Sequence, residues 1–341
     1  MKKSILFLLA ALSFQCMVAQ NITNAGAYLA FLNKQSEAVT KDMWSYTSSI
    51  ARSRSANSIE MRRKELLKQI QTSKTAVSEK PAFNNQDYIK TAFIKYLDIH
   101  YDILNDDYAK IIDMEAVAEQ SYDQMEAYIM VQDQVNEKMK ATSDELDIEV
   151  EKYAVENKIM LSDEMTETGK KLDRASKAFD YYQPVYLNFF KSYIQEMNFL
   201  NALNALDFAG AEQARVALLT TATEGLEKAK AFSNYEGDSS IKTECSIAMR
   251  FYMDEAGEEF VKILDFYNKK ENFEKMDAAM KAKKKSEITK ADTDAFNKAV
   301  NEYNTAVKTY NTINNSLNTK RSKVLEGWNK SVENFLMKHA A

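Results

Sequence analysis

The chain has little of what breaks helices or cross-links small folds. Seven glycines and two prolines in 341 residues are far below ordinary usage, and no stretch alternates apolar and polar residues as a half-buried strand would. Of two cysteines, Cys16 and Cys245, only the second would survive removal of the leader described below, so an intrachain disulfide is excluded. Neither histidine, His100 or His339, has a Glu three residues before it. The Glu-x-x-His pair of bundle di-iron sites is therefore missing, as are His-Glu-x-x-His and Cys-x-x-Cys-His. No glycine-rich loop follows a strand, which leaves nucleotide binding without a footing. Forty-five basic against fifty acidic residues give no positive excess to hold nucleic acid. What remains is an all-α chain with no recognisable catalytic, metal or cofactor constellation, and it reads as a non-enzyme.

The first residues carry their own signal. Met1-Lys2-Lys3 is a short positive region, Ile5 to Phe14 an apolar core, and Val18-Ala19 ahead of Gln20 offers a small residue for cleavage. Residues 1–19 are expected to be a secretory signal peptide, placing the mature chain in the periplasm, on the outer surface or outside the cell. Gln15 stands where a lipoprotein leader wants a small residue, which argues against anchoring at Cys16. The leader is too short to span a bilayer, and no later apolar run is longer, so no transmembrane segment is expected after it.

Apolar residues at helical spacing fill the rest. The longest stretch is Thr289 to Lys338, where Phe296, Tyr303, Tyr310, Leu317 and Val324 recur every seven residues and Val300, Val307, Trp328 and Phe335 form a second row. One helix there would run about 70 Å at 1.5 Å per residue. Asn314 and Arg321 share the row of Val300 and Trp328, and polar residues in such a seam either fix register or mark where the helix leaves the core. A second long helix is expected from about Ala116 to Ile159. Asn57 with Glu60, and Thr289 with Asp292, have capping-box spacing, and Asp207 and Asp238 are expected caps. Pro184 is expected to kink a helix whose apolar face resumes at Tyr186.

The chain also repeats. Shifted by 152 residues without a gap, Phe83 to Asp113 overlays Tyr235 to Asp265 with seven of 31 positions identical, among them Ile89-Lys90-Thr91 on Ile241-Lys242-Thr243. Leu66-Leu67 meets Leu218-Leu219 under the same shift. The expected architecture is an elongated antiparallel helical bundle of about eight helices in two duplicated four-helix units, residues 20–161 and 162–341.

Few residues invite chemistry. His100 and Cys245, the latter matching Phe93 of the other half, read as core positions. The densest aromatic run, including Tyr182, Tyr186, Phe189, Phe190 and Tyr193 around Pro184, has core spacing. The alternative is a groove at these residues that takes a small apolar ligand, a lipid or a partner helix. Lys281, Lys283, Lys284 and Lys285 read as a solvated connector, with contact to anionic lipid or polysaccharide as the alternative.

Phe296-Asn297-x-x-Val300-Asn301-x-Tyr303-Asn304, followed by Tyr310-Asn311, Arg321, Trp328-Asn329 and Phe335-Leu336 up to His339, resembles the end of a largely uncharacterised family of exported helical proteins of Bacteroidota and leptospires. The resemblance covers about the last fifty residues together with the leader. It implies a surface or envelope location and carries over no catalytic residue. The expected function is that of an exported, non-enzymatic binding or structural module whose partner is a protein or envelope component, with an apolar-ligand carrier as the alternative.

Overall fold

The computed structural model describes residues 24–52, 55–107, 117–162 and 164–341. The expected leader with Cys16, and the Tyr108 to Asp113 part of the repeat, lie outside them. The described chain is all-α, with no strand among the described residues: α1 (Asn24–Ala51), α2 (Ala56–Glu79), α3 (Asp87–Asp102), α4 (Tyr122–Glu156), α5 (Glu167–Asn204), α6 (Phe208–Ala231), α7 (Ser240–Asp254), α8 (Phe260–Ala282) and α9 (Lys290–His339). None of the helices is long and apolar enough to cross a membrane. The chain groups into two compact units, residues 1–184 with 332–341, and residues 185–331.

In the first unit the core gathers Leu29, Leu32, Val39, Met43 and Tyr46 of α1, Leu66 and Ile70 of α2, Phe93 and Leu97 of α3 and Leu146 and Tyr153 of α4. Tyr153 ties the ends of two helices together, donating its hydroxyl proton to the Ala25 carbonyl at 3.3 Å. In the second unit the core gathers Phe189, Phe199, Leu218, Met249, Tyr252, Phe260 and Trp328, all at most 1% exposed. Phe189 stacks on Trp328 at 4.1 Å and Phe199 on Phe260 at 3.5 Å.

The 152-residue shift carries over to the backbone. Helix α2 and helix α6 have 24 residues each, and their bounds coincide under it. Their N-caps, Ser55 and Asp207, accept the amides of Ser58 and Gly210. The next turns hold left-handed pairs at matching places, Asn84 and Asn85 (φ 47° and 56°) and Glu236 and Gly237 (φ 48° and 82°). Glycine relieves the strain of the last position, and Asn tolerates it. Each third helix then passes into one π turn, Ile103–Asp107 and Glu255–Glu259. Such a turn puts a carbonyl out of the regular ladder, and in both units an arginine meets it. Arg63, itself paired with Glu60, donates to the Leu104 carbonyl at 2.7 Å; Arg215, paired with Glu212, donates to the Ala256 carbonyl at 3.0 Å. Lys90 and Lys242 likewise cap the carbonyls of Lys80 and Phe232, past the ends of α2 and α6, where a cation meets the negative end of the helix dipole.

Several boundaries differ from the sequence reading. Ser55, not Asn57, caps α2, because Ser55 is the extended residue whose oxygen reaches an orphan amide. The long helix of the first unit starts at Tyr122 under a Ser121 cap. Ser239 is the N-cap of α7, and Asp238 supports it by accepting the Ser240 amide at 2.8 Å. Thr289 and Asp292 form the expected reciprocal box, with the two amide bonds at 2.9 and 3.1 Å. Helix α5 runs on through Pro184 as one helix. The proline lies on the exposed face, where water can satisfy the carbonyl its ring displaces.

Candidate functional site

Within the second unit, the helical line α7–π turn–α8 runs antiparallel to α9. Glu244 lies opposite Gly327, Glu255 opposite Arg321, Phe266 opposite Tyr310 and Phe273 opposite Tyr303. Between the first two of these pairs opens a cleft of ≈ 590 Å³, inside the range of ligand sites. Ile247 and Phe251, one turn apart on α7, and Leu317 and Val324 on α9 make it apolar. Ile247 is 45% exposed, a large apolar side chain turned to solvent. Glu244 and Asp254 border the α7 side, and Lys320 and Lys323 border the α9 side. Neither lysine has an acidic partner among the described residues. Gly327 lets the Glu244 carboxylate lie against α9, since a Cβ there would run into its Oε1.

Under this cleft is a buried charge cluster. Arg321 donates through Nε to Glu196, through Nη2 to Glu255 at 2.5 Å, and through Nη1 to the Asn318 side-chain oxygen at 3.0 Å. Glu196 and Glu255 are both 0% exposed. Two carboxyls facing one guanidinium in a dry site leave one negative charge too many, and a retained proton removes it. Burial, and then the charge of Glu196, hold the Glu255 carboxyl far above the usual carboxylate range, against the opposing pull of Arg321. Burial, and then the carboxylates of Glu196 and Glu255 beside it, push the Tyr252 phenol well up, and its hydroxyl has no hydrogen-bond partner among the described residues.

Under the repeat shift, the first unit has a cleft that overlaps this place in part, with a different chemistry. At ≈ 470 Å³ it lies between α3 and α4, with Ala92 and Lys95 at the places that Glu244 and Ile247 take in the second. Lys95 crosses it to pair with Glu145 at 2.5 Å. Ile103, 0% exposed, stands at the position of Glu255, and His100 at that of Tyr252. The fold therefore accommodates an aliphatic residue where the second unit buries a carboxyl. Buried ion pairs are frequently no more stabilising than well-packed apolar residues of similar size, so architecture alone does not call for the second unit's cluster.

The residues singled out from sequence fall as follows. Tyr182 and Pro184 belong to the first unit, Tyr182 buried and Pro184 exposed. Tyr186, Phe189 and Phe190 of the second unit are at most 5% exposed, and Tyr193 is half-buried. Their rings pack on one another, Tyr186 on Phe190 at 5.8 Å and Phe189 on Tyr193 at 5.9 Å, with Trp328 over Phe189. His100 is fully buried and donates from Nδ1 to the Tyr96 carbonyl, 2.9 Å away; burial lowers its pKa to about 4. Burial likewise raises the Cys245 thiol to about 12, against the opposing effect of the Asn188 amide. Arg321 faces the core whereas Asn314 is exposed. Glu196 and Glu255 escaped the sequence reading. The available signal was an acid at position 255, three residues after Tyr252 on the stripe of Cys245 and Met249.

Comparison of the chain with protein-family models, with curated proteins and with solved structures finds no match.

Proposed function

We propose that the protein is an exported, non-enzymatic helical-bundle binding module of the cell surface or envelope, and that the second-unit cleft takes an amphipathic helix of a partner protein. The observation that carries this reading is the apolar strip of Ile247, Phe251, Leu317 and Val324 between walls of opposite charge. A helix laid along two antiparallel helices completes a three-helix packing. Its apolar edge would meet Ile247 and Phe251, its acidic flank Lys320 and Lys323, and its basic flank Glu244 and Asp254. The non-enzymatic part rests on chemistry withdrawn by burial: the His100 imidazole is neutral and enclosed, and the Cys245 thiol is held far from its nucleophilic form. Export rests on the leader-like first residues, and the envelope location on the resemblance of the last fifty.

Site-specific photocrosslinking in cells that make the protein tests the cleft. A photoreactive residue at Ile247 should give a discrete protein adduct that disappears with Lys320→Glu and Lys323→Glu, while one at Val216, equally exposed at 48%, should not. Equal adducts at the two positions, or insensitivity to charge reversal, would remove the cleft from the proposal. Protease added to intact cells tests the location: cleavage of this chain beside a protected periplasmic control supports the surface, and protection of both restricts it to the periplasm.

A further inference from the structure

The connection between α8 and α9 has a chemistry of its own. Residues 281–290 hold five lysines, Lys281, Lys283, Lys284, Lys285 and Lys290, against one acid, Glu287, in a chain whose net charge is −5. Every residue of this segment except Ile288 is exposed. Three of the lysines touch carboxylates: Lys281 to Asp277 and Lys283 to Asp292 at 2.6 Å, and Lys284 to Glu287 at 3.9 Å. Such exposed pairs are weak and leave the field of the lysines largely in place. Lys285 and Lys290 have no acidic partner among the described residues.

The segment is also held in shape. Behind it, Phe273 stacks on Tyr303 at 4.9 Å and Phe266 on Tyr310 at 4.4 Å. The Thr289–Asp292 box fixes the start of α9, and the Lys284 amide donates to Glu287 at 3.4 Å. No buried residue occurs from 268 to 298, so this end of the hairpin is two helices with water around them. The basic charge is presented at a turn of defined form and not along a loose tail.

We propose that this lysine turn docks the protein on an anionic lipid surface. The hairpin from 260 to 313 contains no arginine. Lysine ammonium groups are point charges without the planar fork that reads a single phosphate bidentately, so the turn suits a diffuse layer of anionic headgroups better than one stereospecific anion. Ile288, half-buried within the turn, and Met280, half-buried just before it, give it an apolar component that can meet the headgroup boundary. The cleft has no part in this contact, and neither reading depends on the other.

Each lysine brought near an anionic bilayer is worth about fivefold in partitioning at low ionic strength. The test is flotation of the purified protein with phosphatidylcholine vesicles containing phosphatidylglycerol, beside vesicles of phosphatidylcholine alone. Binding is expected only to the first, and it should weaken as salt rises. The triple variant Lys284→Gln, Lys285→Gln, Lys290→Gln should lose roughly a hundredfold. A triple of equal charge change elsewhere, Lys68→Gln, Lys308→Gln, Lys330→Gln, should lose far less. All six positions are exposed, and unchanged helical circular dichroism certifies the fold of both variants. Absence of binding to the anionic vesicles would overturn the proposal. So would equal losses in the two triples, which would make net charge the cause. Retention on a soluble polyuronate with no vesicle binding would assign the turn to polysaccharide and overturn it as well.

Discussion

The replacement Glu255→Gln separates the charge of the buried cluster from its shape. Glutamine is the shape of a protonated glutamate: its oxygen can accept from Arg321 and its amide can donate to Glu196. Glu255 is pushed up to about 9, first by burial and then by Glu196. The folded protein thus holds a proton that the unfolded chain releases above about pH 4.5. Stability from this proton is complete below that pH and is lost as pH rises toward 9, at about 1.4 kcal/mol per pH unit. Glutamine never ionises and loses nothing over that interval. The difference in unfolding free energy between variant and wild type should therefore grow by ~1.4 kcal/mol for each unit between pH 5 and 8, and near pH 7 favour the variant by about 3 kcal/mol. Titrating groups that do not touch Glu255 are common to both proteins and cancel. Urea titrations in a Trp44→Phe background leave Trp328, stacked on Phe189, as the fluorescent reporter of this unit alone. A difference that stays flat with pH would show that Glu255 is ionised in the fold, and the charge argument for the cluster would fail.

Three other outcomes follow from buried groups. Arg215→Ala should destabilise the second unit by roughly 1–3 kcal/mol, because it strands the Ala256 carbonyl of the π turn. Arg63→Ala should do the same to the first through Leu104, and unchanged urea midpoints would mean that water serves these carbonyls. His100, lowered to about 4 by burial, contributes stability that is present above its unfolded value near 6.5 and lost as pH falls through 4, about 3 kcal/mol in all. His100→Phe should abolish that part of the acid slope, and an imidazole NMR titration with a midpoint near 6.5 would contradict it. Cys245, raised to about 12 and fully buried, should react with a thiol reagent only on unfolding; rapid modification of the native chain would show the site to be open.

Helix existence was legible because spacing of three and four is a local property, and so were the Thr289 box and the Asp207 cap. The π turns were not. One extra residue in a helix rotates the stripe by about a third of a turn, and the sequence absorbs it: Leu97, His100, Ile103 and Leu104 in one unit, and Met249, Tyr252, Glu255 and Ala256 in the other, keep helical spacing through the disturbance. What betrays the turn is a residue far away, since Arg63 and Arg215 reach it from another helix, 41 residues off in both cases. The shift of 152 already contained that clue as a matched Glu-x-x-Arg, Glu60 with Arg63 and Glu212 with Arg215.

The charge cluster was half legible for the same reason. Arg321 stood out because it interrupts an apolar row, but Glu196 and Glu255 are two acids among fifty, and only packing brings them to it. Asn314 stood out equally and behaves otherwise. At Arg321 the second unit closes over α9, whereas one turn before Leu317 the buried place on α9 is taken by Ile313, 8% exposed, and the neighbouring Asn314 meets water. A heptad row records which side of a helix faces its neighbours; how many neighbours cover that side is set by the lengths of other helices. Since α5 ends at Asn204 and α6 begins at Phe208, which packs on Tyr267, while α8 and α9 run on beyond that level, the same row passes from a closed core to a solvated hairpin without any change in its apolar period. A polar residue in such a row is therefore a different object at either end: a buried partner in search of charge at Arg321, and an ordinary surface side chain at Asn314.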